Sequence, residues 1–123
     1  MKLTKKTIEN EDVYFQNGVK KYVHSKNSDG FEYWKEFDSN NNEIHYKSSN
    51  GDEYWSEYDS NNNEIHFKTS YGYEYWSEYD SNNNLIYYKD GDGYESWSDD
   101  NPKNPKYIDV EVDIQPFTFT TEE

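Results

Sequence analysis

A unit of 21 residues repeats in tandem through the middle of the chain, and no other feature constrains the fold as much. Counted from its glycines, the unit occupies residues 30–50 (GFEYWKEFDSNNNEIHYKSSN), 51–71 (GDEYWSEYDSNNNEIHFKTSY) and 72–92 (GYEYWSEYDSNNNLIYYKDGD), and a fourth copy starts at Gly93 and breaks at Asn101-Pro102. Trp34, Trp55, Trp76 and Trp97 stand 21 apart without an insertion, as do Glu32, Glu53, Glu74 and Glu95. Upstream, Val23, His24 and Lys26 keep the register of Ile44, His45 and Lys47. One plan therefore covers roughly residues 22–101, and a repeat of this length is a single supersecondary unit that needs its neighbours to bury a face.

Within the unit, residues 31–37 and 44–47 are short, rich in Tyr, Trp and Phe, and alternating, which predicts strands rather than helix. Asp38-Ser39-Asn40-Asn41-Asn42 is the turn between them, Asn tolerating the left-handed conformation, and residues 48–51 turn the chain into the next unit. Two strands and two turns per unit predict an all-β fold, an antiparallel meander of tandem 21-residue β-hairpins. Alternation puts Phe31, Tyr33 and Phe37 on one face and Glu32, Trp34 and Glu36 on the other. The pattern recurs with Glu53, Trp55 and Glu57, then with Glu74, Trp76 and Glu78.

The ends are expected to cap this array within one domain. Residues 1–29 contain a hairpin signal, residues 13–16 and 19–24 around Asn17-Gly18. Residues 102–123 contain Ile108, Val110, Val112 and Ile114 alternating with Asp109, Glu111 and Asp113, then Phe117-Thr118-Phe119, and are read as C-terminal capping strands around the repeats at 30–101.

The signature Tyr58-Asp59-Ser60-Asn61-Asn62-Asn63, followed by an aliphatic residue and a second aromatic strand, resembles the YD repeat of Rhs-type proteins over about two thirds of the chain. Asn41, Asn62 and Asn83 stand where that family has glycine. The resemblance implies spiralling β-hairpins. The family's shell around a cargo does not carry over, because three to four units enclose nothing. Tryptophan-tyrosine hairpin repeats of choline-binding cell-wall proteins are similar in length but differ in their Trp-Tyr-Tyr and Gly positions.

Composition bounds the function. Hydrophobic residues are 31% and mean hydropathy is −1.43, yet 20% of residues are aromatic, and each ring can bury ~150–250 Å²; such a chain folds rather than staying disordered. The formal charge is −14. Residues 1–29 carry net +2, residues 30–92 net −10 and residues 93–123 net −6, a field that repels nucleic acid and anionic membranes and favours basic partners. Cysteine, arginine and alanine are absent, which removes disulfides, thiolate chemistry and bidentate guanidinium clamps. Residues 1–6 lack the apolar run of a signal peptide, so a cytoplasmic location is expected.

No catalytic, cofactor or metal site is expected. Asp38-x-Asn40-x-Asn42 echoes half a calcium loop, but its sixth position holds Glu43 rather than Gly, and turn chemistry accounts for it. His24, His45 and His66 recur too far apart to share a metal and are expected to partner neighbouring acids. Paired carboxylates occur only as periodic columns, whereas a catalytic site is one irregular constellation.

Those columns are the candidate partner-binding residues: Glu32, Glu53, Glu74 and Glu95 with Glu36, Glu57 and Glu78, joined by Trp34, Trp55 and Trp76 and by Asp109, Glu111 and Asp113. Six strands span ~29 Å, so net −10 amounts to one charge per ~3 Å, near the ~3.4 Å of a single DNA strand. That density leads to a non-enzymatic inhibitor that mimics nucleic acid and occupies a basic nucleic-acid-binding protein, in the manner of anti-restriction or anti-CRISPR proteins of phage. The plain alternative is a solvated face that discourages aggregation. A carbohydrate or cell-wall binder using Trp and Tyr as stacking platforms remains open, as does an immunity or scaffold protein for a YD-repeat toxin, which rests on the resemblance alone. Exposed strand edges leave a homodimer open.

Overall fold

The turns set the register. One carboxylate oxygen of Asp38 accepts the backbone N–H groups of Asn40 and Asn42, each at 2.9 Å, while the Asp38 N–H donates to the Asn42 carbonyl at 2.9 Å. Asp59 and Asp80 repeat these bonds. The backbone N–H of Asn63 holds the Asp59 carboxyl below its usual range, and that of Asn84 does the same for Asp80. Each loop is a three-residue connection that ends in a left-handed residue.

Which residue takes that position depends on the angle. Asn41, Asn62 and Asn83 sit at φ 66°, 65° and 65°, whereas Gly30, Gly51, Gly72 and Gly93, on the opposite edge, sit at 94°, 90°, 93° and 90°. The first set lies inside the left-handed region that Asn can occupy; the second lies beyond it, where a Cβ is strained. Asparagine thus serves one edge and glycine the other.

The computed structural model describes residues 2–108, 110, 111 and 113. They form ten strands: β1 (Thr4–Ile8), β2 (Glu11–Gln16), β3 (Val19–Lys26), β4 (Glu32–Phe37), β5 (Glu43–Ser48), β6 (Glu53–Tyr58), β7 (Glu64–Thr69), β8 (Glu74–Tyr79), β9 (Leu85–Asp90) and β10 (Glu95–Trp97). All join one open antiparallel sheet in chain order, with no helix among the described residues. The expected meander is therefore observed, each unit supplying two strands. Glu36 faces His45 and Phe37 faces Glu43, so Ile44 is left over as a β-bulge; Ile65 and Ile86 are left over in the same way.

Among the described residues no second layer covers this sheet. Among the described residues only Val13 and Val23 are buried hydrophobics, at 9% and 5% exposure. An aromatic ladder takes the place of a core. Tyr33, Tyr46, Tyr54, Phe67, Tyr75 and Tyr88 follow one another across β4 to β9 with ring centroids 5.9, 5.2, 6.0, 5.4 and 5.8 Å apart. Tyr46–Tyr54 and Phe67–Tyr75 are directly opposed pairs, and the other contacts run diagonally. Large faces small in the remaining places: Tyr33 opposes Ser48, Tyr54 opposes Thr69, and Ser77 opposes Tyr88, and these three small residues are buried. Each aromatic pair contributes about 0.5–1.5 kcal/mol beyond its area.

The N-terminal hairpin forms as expected, Asn17 and Gly18 making a two-residue loop at φ 53° and 79°. β1 is added outside it through a second such loop, Glu9-Asn10 at φ 48° and 69°. The expected C-terminal strand is not observed where it can be followed. Residues 108, 110, 111 and 113 are exposed and in no strand; Asp109, Val112, Ile114 and residues 117–119 lie outside the described residues. In the preceding segment Asn101 and Asn104 accept the N–H groups of Lys103 and Lys106 at 2.9 and 3.0 Å, each turn spanning a proline that has no N–H for a ladder. The buried Asn101 amide donates to the Ile86 carbonyl at 2.8 Å and anchors this turn on β9.

Two outcomes are expected. Gly51→Ala should lower stability by about 1–2 kcal/mol, although nothing lies within 4 Å of the added Cβ, whereas Asn41→Gly should stay within about 0.5 kcal/mol; urea midpoints with unchanged m values check both. Burial, then the hydrogen bond with Tyr73, pushes the Tyr88 hydroxyl from 10.0 up to about 12. The folded chain holds that proton more tightly, so the stabilisation is present below pH 10 and lost as pH rises through 12. Tyrosinate absorbance followed with near-ultraviolet circular dichroism should show ladder ionisation and loss of packing together, and Tyr88→Phe should soften the coupling.

Candidate functional site

The face opposite the ladder carries the candidate residues, and the strand register arranges them in diagonal rows. Glu36 opposes His45, which opposes Trp55, which opposes Lys68, which opposes Glu74. The next row reads Glu57, His66, Trp76, Lys89, Glu95. Since Trp55 lies in line with Glu74 rather than Trp76, each unit is displaced by two residues along the strands. Equivalent side chains are thus ~12 Å apart, two strand spacings across and two residues along.

Within each row the tryptophan lies on an imidazole. His24 stacks on Trp34 at 4.0 Å, His45 on Trp55 at 5.7 Å and His66 on Trp76 at 5.3 Å, and Tyr14 on β2 also stacks with Trp34 at 5.9 Å. In the last unit Tyr87 replaces the histidine against Trp97, at 5.5 Å. The outer surfaces stay open, Trp34, Trp55 and Trp76 being 44%, 38% and 36% exposed.

The histidines divide the glutamates into two kinds. Glu32, Glu53 and Glu74 each meet an imidazole Nε2 at 2.6 Å, and Glu95 accepts the Tyr87 hydroxyl at 2.9 Å; burial, and then this carboxylate, raise the Tyr87 pKa. Glu36 and Glu57 only approach the far Nδ1 of His45 and His66, at 4.0 and 3.5 Å. The side chain of Glu53 is 24% exposed and that of Glu57 70%. One column thus holds histidine beside tryptophan at close range, and the other approaches histidine only loosely, Glu57 being its more open member and Glu36 32% exposed. The expectation that histidines pair with acids is met at all three positions.

Open clefts form between the rows. One is bounded by Trp55, Ile44, His45, Glu36 and Glu57; its counterpart by Trp76, Ile65, His66, Glu57 and Glu78. The bulge turns Ile44 and Ile65 onto the tryptophan side, which simple alternation along β5 and β7 would not do. Glu57 borders both clefts.

One expectation about the acids needs correction. The charge of residues 30–92 is not gathered on one face. Lys47, Lys68 and Lys89 stand between tryptophan and glutamate in the rows. Asp38, Asp59 and Asp80 are used in turns, the Glu43 backbone carbonyl accepts from the Tyr58 hydroxyl, and the Glu64 carboxylate accepts from the Tyr75 hydroxyl. Six glutamates against three lysines leave about one net charge per ~10 Å over the ~29 Å of six strands, far sparser than a phosphate backbone. Of the C-terminal candidates, Glu111 and Asp113 are exposed and outside any strand, and Asp109 lies outside the described residues.

Compared with known proteins, the chain matches no family model and no curated protein. The hairpin repeat itself is what the YD resemblance and the structure have in common.

Removing each kind of glutamate should separate them. Glu53→Ala is expected to cost about 1 kcal/mol by freeing His45, whereas Glu57→Ala should stay within about 0.5 kcal/mol; thermal or urea unfolding of the two variants measures the contrast.

Proposed function

We propose that the chain is a non-enzymatic binding protein that docks on a basic protein through its glutamate–tryptophan face. A nucleic-acid-binding protein is the partner class that fits a negative, repeating surface, and inhibition of such a partner is the corresponding activity. The observation that carries this reading is the pairing of half-open tryptophans with uncommitted carboxylates, Glu36, Glu57 and Glu78, at one spacing along the sheet. Exposed aromatics anchor interfaces, and charge speeds encounter and selects partners. With lysines diluting the field, the discrete Trp–Glu sites rather than a continuous run of charge supply the specificity.

The same tryptophan shelves, with Glu and His beside them, suit stacking on sugar rings, and glycan binding is the second reading. One experiment separates the two. The chain immobilised on resin should retain basic nucleic-acid-binding proteins from a host lysate at low salt, release them as salt rises, and lose them to competing duplex DNA. Trp55→Ala together with Trp76→Ala should abolish retention. Retention that ignores salt and DNA, with tryptophan emission responding to oligosaccharides instead, would transfer the face to glycans.

A further inference from the structure

The clefts at Trp55 and Trp76 are two copies of one socket, and their chemistry points to the group each accepts. The floor is a partly exposed tryptophan ring stacked on histidine, with Lys68 or Lys89 opposite it on the next strand. One wall is the bulge isoleucine, Ile44 or Ile65, and the rim carries carboxylates not committed to a close histidine bond. An open tryptophan face attracts a cation, an aliphatic wall suits the methylene stem of a long basic side chain, and a carboxylate completes its hydrogen bonds. Lys68 and Lys89 stand opposite these rings in register but make no cation–π contact with them. Its five internal cation–π contacts among the described residues use Phe15, Phe37, Tyr22, Tyr33 and Tyr107 and no tryptophan.

We infer that the Trp55 and Trp76 clefts are successive sockets for two arginine or lysine side chains of a single extended segment, four residues apart. This rests on the docking role proposed for the face and adds the form of the ligand. The two sockets lie ~12 Å apart along the diagonal. An extended segment places residues i and i+4 on the same side and ~13 Å apart, which matches, whereas i and i+3 point to opposite sides. A helix offers ~10.5 Å between i and i+7 and would need a groove, but this face is an open sheet surface with shallow clefts. Glu57 borders both sockets and so touches both cations. Glu53 and Glu74, held on histidine at 2.6 Å, touch neither.

The test uses the full chain and two synthetic peptides of equal charge and length, with arginines at i and i+4 or at i and i+3 in a serine–threonine scaffold. Titration is followed by tryptophan emission and calorimetry. The i, i+4 peptide should bind about tenfold more tightly through its second socket. Trp76→Ala should remove that advantage while leaving single-site binding at Trp55. Glu57→Gln should weaken the i, i+4 peptide about tenfold and Glu53→Gln less than about twofold, with circular dichroism confirming that each variant folds. Equal affinity for both peptides overturns the sockets and leaves the docking face as a surface of general charge attraction. Failure of both peptides to perturb tryptophan emission overturns the sockets as well, and the salt and DNA competition of the lysate experiment then decides the docking role on its own.

Discussion

Cross-strand stacking of aromatic rings is the interaction on which this sheet depends. An isolated two-stranded hairpin is marginal in water, and a sheet ordinarily gains stability by laying one face on another layer. Among the described residues that layer is absent, and rings from adjacent strands cover one another instead. Tyr33, Tyr46, Tyr54, Phe67, Tyr75 and Tyr88 form a chain of contacts spanning six strands, and Tyr33, Tyr54, Phe67 and Tyr88 also oppose a serine or threonine. The ladder ends where the ring is replaced: Ser25 opposes Tyr33 on β3 and Ser96 opposes Tyr88 on β10. A mean hydropathy of −1.43 is compatible with such a fold because area comes from amphipathic rings rather than from an aliphatic interior.

The ladder leaves the other face free to be polar, and its geometry follows from the loops. The period is odd, and its two arms differ in length: Trp34 faces Lys47 across one hairpin while Trp55 faces His45 across the next. The difference advances each unit by two residues along the strands, which turns columns in the sequence into diagonal rows in space. Tryptophan thereby meets histidine on one side and lysine on the other, and the glutamates at the two ends of a row acquire different neighbours. Pairing with histidine is what separates Glu53 from Glu57, although both occupy the same face of β6.

This explains which features were legible in the residues. Turn chemistry was: an Asp-x-Asn-Asn-Asn run has a local solution, and Asn41, Asn62 and Asn83 take the left-handed angle that the Gly-to-Asn replacement required. Alternation was equally legible, because a strand's faces depend only on period two. The rest required long-range knowledge. Where Lys47, Lys68 and Lys89 fall relative to the glutamates depends on the register of two neighbouring strands, so a sum of charge over residues 30–92 overstated the density of the face. The bulge at Ile44 moves an aliphatic side chain across the sheet, and no pattern of residues announces it. β1, with Lys5 and Lys6 within Thr4–Ile8, lacks the aromatic alternation of the repeats; lysine is a common guard on an edge strand. The C-terminal alternation from Ile108 onward follows the turns at Asn101-Pro102 and Asn104-Pro105 and lies partly outside the described residues.

Repetition also bears on how such a face can discriminate. A single tryptophan with a carboxylate beside it offers a few kcal/mol at most to a cation in water, too little to select one basic protein from many. Two such sites held rigidly at one distance change the problem, because the second contact becomes intramolecular and its strength depends on whether the ligand's spacing matches. Rigidity is supplied by the ladder on the reverse side, and the spacing by the two-residue advance of each unit. Both derive from the same 21-residue period, so an insertion in a single loop would disturb the ladder and the spacing together. Strict conservation of period within the chain, with Trp34, Trp55, Trp76 and Trp97 all 21 apart while turn residues such as Asn50, Tyr71 and Asp92 differ freely, is what a recognition surface read by distance requires.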